Sequence, residues 1–123
     1  MVIVMTWEME SGRPIYIQIV DKISMQIVSG QYRPGDKLPS VRELAAIANV
    51  NPNTMQRAFT ELEQMNLVLT QRTAGRTVTE DMELINQVRK GLAEKQLKIF
   101  VSKMQELGYQ EDDIKRLFEE TIK

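Results

Sequence analysis

Two helix-start signals, close together in the middle of the chain, constrain the fold more than any other feature of the sequence. Ser40 and Glu43 have the spacing of a capping box, in which each side chain satisfies a backbone N–H group at the start of a helix. Asn51 and Pro52 combine an N-cap residue with proline at the first helical position. The first helix must therefore be short, and the second must follow it across a tight turn, which is the helix-turn-helix pattern.

Both of these helices have an apolar and a polar face. Apolar residues recur at helical spacing, at Val41, Leu44, Ala45 and Ala48 in the first helix and at Met55, Ala58, Phe59, Leu62 and Met65 in the second. The opposite face of the second helix carries Asn53, Arg57, Thr60 and Gln64, with Thr54 and Gln56 on its flanks. Amides and Arg can pair with purine edges in a major groove, so this face is a candidate DNA-reading surface. A solvated face that happens to lack acids is the alternative interpretation.

A longer helix is predicted ahead of this pattern, over residues 14–30, and residues 3–9 before it are predicted to be extended. Isoleucines occupy every fourth position of the helix, at Ile15, Ile19, Ile23 and Ile27. This spacing places them on one face. We therefore expect them to form the core on which the two following helices pack.

After the second helix of the motif, the periodicity changes from helical to alternating. Residues 68–71 and 76–79 are predicted strands, joined by residues 72–75 with Gly75 supplying a positive φ. Since a two-stranded hairpin is not stable alone, it should lean on the helices as a wing. Arg76, and with it Arg72, would then meet phosphates or a minor groove, and the alternative is that both are solvated bases.

The C-terminal tail, residues 80–123, predicts a long helix, with a bend near Gly91, and a last helix after Gly108. An apolar stripe runs along both helices and comprises Leu84, Val88, Leu92, Leu97, Phe100, Val101, Met104, Leu107, Leu117 and Phe118. Two helices cannot form a self-sufficient core, so the stripe should be buried against a second copy or against the first domain. The acidic residues 111–113 resemble a metal cluster, but carboxylates in a first helical turn favour the helix dipole instead.

Composition narrows the class of protein. The chain has 123 residues, with no Cys and no His, which removes the usual zinc sites, thiol catalysis, disulfides and His-based triads. The net charge is −1, whereas a DNA-binding domain is expected to be basic. Residues 33–76, however, carry six basic residues against four acidic ones. The sequence has no run apolar enough to span a bilayer and no signal peptide, so a cytoplasmic location is expected.

Four motifs in order resemble the winged helix-turn-helix domain of the GntR family of bacterial transcription regulators. They are Pro-x-Tyr-x-Gln-Ile, then Gly-x-x-x-Pro-Gly-Asp-x-Leu-Pro-Ser-x-Arg-Glu-Leu-Ala, then Val-Asn-x-Asn-Thr, and finally Ala-Phe followed by Leu-Glu. The chain departs from the family at Pro52, where a basic residue is common, at residues 65–67, and in the wing, which has one glycine instead of two. The resemblance implies a mainly α fold with a small β-hairpin, in which residues 1–79 form the winged helix-turn-helix domain and residues 80–123 form a two-helix dimerisation segment.

The resemblance also implies which residues would meet DNA. Arg42 matches the arginine that contacts a base in the family, and it is expected to pair with a guanine. The other expected DNA-binding residues are Asn53, Gln56 and Arg57 in the groove, Ser40 and Thr54 at phosphates, Asn51 at the start of the second helix, and Gly75 with Arg76 in the wing.

The short tail is similar to that of the YtrA type of GntR regulator, which implies a homodimer on a near-palindromic operator. We expect a repressor, and the resemblance implies control of transporter genes, often of the ABC class. It also implies that the large ligand-binding domain of other subfamilies is absent, so an unknown small-molecule effector would have to bind at the dimer interface or between the tail and the DNA-binding domain. We expect no catalytic residue, cofactor or metal. The alternative is a winged-helix module that binds a protein partner and not DNA.

Overall fold

The structure, a computed structural model, describes residues 7–73 and 75–123. In these ranges the helices are α1 (Ile15–Val28), α2 (Val41–Ala48), α3 (Pro52–Gln64), α4 (Met82–Glu106) and α5 (Glu111–Ile122), and the strands are β1 (Val68–Gln71) and β2 (Gly75–Val78). The predicted architecture is confirmed, a winged helix-turn-helix fold followed by C-terminal helices. The extended segment predicted over residues 3–9 lies mostly outside the described residues.

Both helix-start signals of the helix-turn-helix act as predicted. Ser40 Oγ accepts a hydrogen bond from the Glu43 amide at 3.1 Å, and Glu43 Oε1 accepts one from the Ser40 amide at 3.1 Å. Asn49 ends α2 in the left-handed conformation, with φ of 57°. Asn51 Oδ1 then accepts from the Asn53 amide at 2.7 Å, which caps α3. Local side-chain chemistry therefore sets the turn between the two helices.

The capping box makes the start of α2 sensitive to acid. The Ser40 backbone N–H group that donates to the Glu43 carboxylate, helped by the Ser40 side chain, lowers the pKa of Glu43. A lowered folded-state pKa stabilises the fold above the unfolded value, about 4.3 for Glu, and this contribution disappears as the pH falls through the folded value. We expect an NMR titration of the Glu43 carboxyl to have a midpoint below that of a glutamate in the unfolded chain. A midpoint at or above that value would contradict the reciprocal cap, and Glu43→Gln should remove the corresponding pH dependence of unfolding.

The core lies where α1 and α2 pack on α3. Ile19, Ile23, Met55, Phe59 and Leu62 are completely buried, and other buried residues of the interior include Leu44, Ala48, Leu67, Val68, Val78 and Ile85. The prediction that Ile15 belongs to this core is wrong, because 44% of it is exposed. Helical side chains lean toward the N-terminus, and Ile15 is the first residue of α1, so its side chain leans past the end of the packed face.

The second strand of the wing has a backbone partner on each side, and the sequence predicted only one of the two. β1 and β2 are antiparallel with Val68 opposite Val78, and Gly75 begins β2 with the predicted positive φ, 76°. β2 starts and ends one residue earlier than predicted. Its second edge pairs with residues 35–38, since the Leu38 amide donates to the Arg76 carbonyl and the Val78 amide donates to the Asp36 carbonyl, both at 2.9 Å. The hairpin is therefore joined through backbone hydrogen bonds to the segment that leads into α2.

The chain divides into two compact units between Arg89 and Lys90, within α4. The division lies ten residues after the predicted boundary at residue 79, because the first turns of α4 belong to the first unit. Ile85 is buried there, and Arg89 donates from Nε and Nη2 to the Val28 carbonyl at 3.1 and 2.8 Å. Leu84 and Val88 of the expected dimerisation set are half-buried in this first unit.

The second unit consists of the rest of α4 and the whole of α5. The rings of Phe100 and Phe118 pack edge to face with centroids 6.2 Å apart, and Ile114 is buried. α4 runs through Gly91 without interruption and ends before Gly108, whose φ is 97°. The acidic residues 111–113 form the first turn of α5, the position that favours carboxylates.

Candidate nucleic-acid interface

The outer face of α3 presents polar side chains to solvent. Its inner face is fixed in the core by Met55, Phe59 and Leu62, so the opposite residues must point outward. Asn53, Gln56 and Arg57 are exposed, and Thr54 is half-buried. An exposed helix face with amide and guanidinium groups and an exposed N-terminal end has the chemistry that reads a major groove.

Arg57 is held in place by an aromatic ring of α1. Its guanidinium carbon lies 3.8 Å from the centroid of the Tyr16 ring, which is a close cation–π contact. The ring restricts the orientation of a long side chain that would otherwise sample many rotamers. Tyr16 was not among the predicted site residues, and its only sequence signal is its place in the Pro-x-Tyr-x-Gln-Ile motif.

The start of α2 and the wing enclose a surface depression between them. It has a volume of about 290 Å³ and is lined by Lys37, Leu38, Pro39, Ser40, Val41, Glu43, Gly75 and Arg76. The fold thereby brings together three predicted site residues, Ser40, Gly75 and Arg76, that are distant in sequence. Arg42 is exposed on the first turn of α2 beside this depression, so it is available to an approaching molecule.

Arg76 is engaged inside the first unit and does not extend freely from the wing. Its Nε lies 3.3 Å from Glu63 Oε1, and its guanidinium carbon lies 5.2 Å from the centroid of the buried Phe59 ring. Glu63 also accepts a hydrogen bond from Thr70 Oγ1. The side chains of Arg76 and Glu63 are 26% and 30% exposed, so the pair is largely shielded. Sequence reasoning missed Glu63 and Thr70, because their partners are set by the way in which the hairpin packs on α3.

Other kinds of site are not seen in the part of the chain that the structure describes. Over residues 7–73 and 75–123, no cluster of three or more Asp, Glu, His or Cys side chains could hold a metal ion. Within the same ranges, none of the helices has both the length and the apolar character needed to cross a membrane.

The family described as "Bacterial regulatory proteins, gntR family" matches residues 15–78. The chain is 40% identical over 107 residues to YhcF of Bacillus subtilis, an uncharacterized HTH-type transcriptional regulator, and the match covers 87% of this chain and 88% of YhcF. It is 45% identical over 71 residues to the HTH-type transcriptional repressor YtrA of Bacillus subtilis, covering 58% of this chain and 55% of YtrA.

A solved structure agrees with these matches. A GntR family transcriptional regulator from Listeria monocytogenes has a TM-score of 0.80 and 41% sequence identity to this chain, over 91% of this chain and 98% of that one. The fold, the exposed face of α3 and the extent of the family match all lead to one assignment. The chain belongs to the GntR family of bacterial regulatory proteins, and it is a transcriptional regulator with a winged helix-turn-helix DNA-binding domain, not an enzyme.

Proposed function

We propose that the protein is a homodimeric repressor that binds a near-palindromic DNA operator in the cytoplasm. The observation that carries this proposal is the exposed, acid-free N-terminal half of the outer face of α3, which belongs to the same compact unit as the capped start of α2 and the wing. The repressor role is supported by the similarity to YtrA, which is named as a repressor. The YtrA type of tail further leads us to propose ABC-transporter genes as targets.

The proposed contacts follow the geometry of the first unit. Asn53, Gln56 and Arg57 would read base edges from α3, and Arg42 would read a guanine from α2. Ser40, Asn51 and Thr54 lie at or next to helix starts, where exposed N–H groups and hydroxyls suit phosphates. Gly75 would bring the backbone of the wing close to the DNA, because it carries no side chain.

Dimerisation is proposed to use the apolar surface of the second unit. Leu97 and Val101 are exposed and line a depression of about 270 Å³ with Lys98, Ser102 and Gln105, all from α4. A depression that one helix lines alone does not enclose a small molecule, but it can receive side chains from a second copy. Any effector is accordingly proposed to bind where the two copies meet. Half-sites about one helical turn apart, or a multiple of this, would match the two-fold symmetry.

The test is a fluorescence polarisation titration with a duplex from the region upstream of the protein's own gene. A scrambled duplex of equal length and composition is the control. We expect a preference of at least about a thousandfold for the upstream duplex, and an affinity that falls steeply with added salt. Equal affinity for the two duplexes, or no binding to either, would reject the proposal in favour of a winged-helix module for protein partners.

The contact between Tyr16 and Arg57 provides a sharper prediction about readout. Tyr16→Leu should lower operator affinity about two- to fivefold, because the ring no longer orients the guanidinium. Tyr16→Phe keeps the aromatic face and should bind like the parent. In the background of Arg57→Ala, the change Tyr16→Leu should have no further effect in the same titration. An equal loss in both backgrounds would show that Tyr16 acts independently of Arg57.

A further inference from the structure

We propose that Glu63 and Arg76 form a clamp that sets the position of the wing on α3, and that Arg76 acts through this clamp and not by binding a phosphate. Glu63 is then a positioning residue for DNA binding. This inference rests on the proposed function in one respect, namely that the wing meets DNA. The clamp itself is a property of the free protein, so it can be tested without any DNA.

The first step is the way in which one carboxylate holds both strands of the hairpin. Glu63 Oε1 pairs with Nε of Arg76 in β2, and Glu63 Oε2 accepts from Oγ1 of Thr70 in β1. Thr70 and Arg76 are directly opposite each other in the antiparallel register. Neighbouring side chains of a cross-strand pair are therefore tied to a single residue in the last turn of α3. A residue that held only one strand would leave the other free to twist.

The second step is the packing of Arg76 along α3. Phe59 and Glu63 are four residues apart and lie on the same side of the helix. The Arg76 guanidinium lies against the Phe59 ring, at 5.2 Å, while its Nε reaches Glu63. Both partners of the Arg76 side chain, the Phe59 ring and the Glu63 carboxylate, belong to α3, and only about a quarter of that side chain is exposed. The charge of Arg76 is thus already matched, and a phosphate would have to compete with a carboxylate that is in place.

The third step connects the clamp to the rest of the proposed interface. The backbone of β2 that carries Arg76 also pairs with residues 35–38, and this segment runs directly into the capped start of α2. The position of the wing, the depression beside Ser40 and the approach to Arg42 are consequently linked through one strand. Loss of the clamp should disturb the proposed DNA-binding surface without removing any group that touches DNA.

The experiment compares Glu63→Ala, Arg76→Ala, the double alanine variant and a charge-swapped variant, which combines Glu63→Arg with Arg76→Glu. Hydrogen exchange of the free proteins should show faster exchange of the β1 and β2 amides in both single variants, with α1 unchanged. Operator affinity should fall about three- to tenfold in each single variant and no further in the double variant, since interacting residues are non-additive. The slope of log affinity against log salt should stay that of the parent in Arg76→Ala. The charge-swapped variant should recover part of the operator affinity that the single variants lose.

Glu61→Ala is the matched control, because it removes the same charge from the same helix, and Glu61 has no side-chain hydrogen bond to the described part of the hairpin. It should leave hairpin exchange unchanged. The clamp is rejected if Glu63→Ala strengthens binding and steepens the salt slope, or if Arg76→Ala reduces that slope by about one unit with normal hairpin exchange. The charge-swapped variant would then bind the operator more weakly than either single variant, because it places a negative charge where a phosphate lies. If the parent does not bind DNA, the proposed function fails, and hydrogen exchange still decides whether the clamp exists.

Discussion

Leu97→Asp should convert the protein from a dimer to a monomer and lower operator affinity by a factor of about a hundred or more. More than half of Leu97 is exposed on the second unit, where it lines the depression on α4. A second copy would bury this apolar surface at roughly 25 cal/mol per Å², and a carboxylate there would have to be desolvated. The loss of DNA affinity follows because linking two binding modules raises avidity about 10²–10⁴-fold over either module alone.

Light scattering at micromolar concentration and the polarisation titration measure the two effects of Leu97→Asp. Ile99→Asp is a matched control, since Ile99 is exposed to a similar degree but lies on the opposite side of α4. It should stay dimeric and bind normally. Phe100→Asp should also reduce dimerisation, but it is a less clean test because the Phe100 ring packs on Phe118 within the second unit. A parent protein that is monomeric at these concentrations would contradict the proposed interface.

Arg42→Ala should cost about 1–3 kcal/mol of binding free energy at each half-site and relax the preference at one base pair. Arg42 is exposed on the first turn of α2, and its backbone is held by the capping box of Ser40 and Glu43. The guanidinium can therefore reach into a groove from a backbone position that is fixed. A polarisation titration against operators with each base pair substituted in turn would locate the position that loses its preference.

Arg42→Lys separates base reading from simple charge. Lysine keeps the positive charge but not the planar fork that pairs with guanine, so the salt dependence should persist while the base preference weakens. If Arg42→Ala binds its operator as tightly and as selectively as the parent, Arg42 is not the reading residue. If Arg42→Lys keeps the full preference, the contact is electrostatic and carries little information about sequence.

The starts of both helices of the helix-turn-helix could be predicted to the residue because they depend on local chemistry. Ser40 with Glu43, and Asn51 with Pro52, satisfy the first N–H groups of their own helices, so no distant contact is needed to start α2 or α3. Gly75 likewise sets the turn of the wing through its own φ. The periodicity of apolar residues was sufficient to place Met55, Phe59 and Leu62 in the core, since one helix has only one face to bury.

Only the tertiary structure decided where the charged and aromatic side chains of the interface point. Arg57 lies over Tyr16, and Arg76 lies against Phe59 and Glu63. Long side chains choose among many rotamers, and the choice depends on neighbours that are far away in sequence. The same reason explains the pairing of β2 with residues 35–38, because backbone groups of a loop carry no sequence pattern that would reveal it. Sequence periodicity therefore determined which face of α3 is outward, and packing decided which partners hold Arg57 and Arg76.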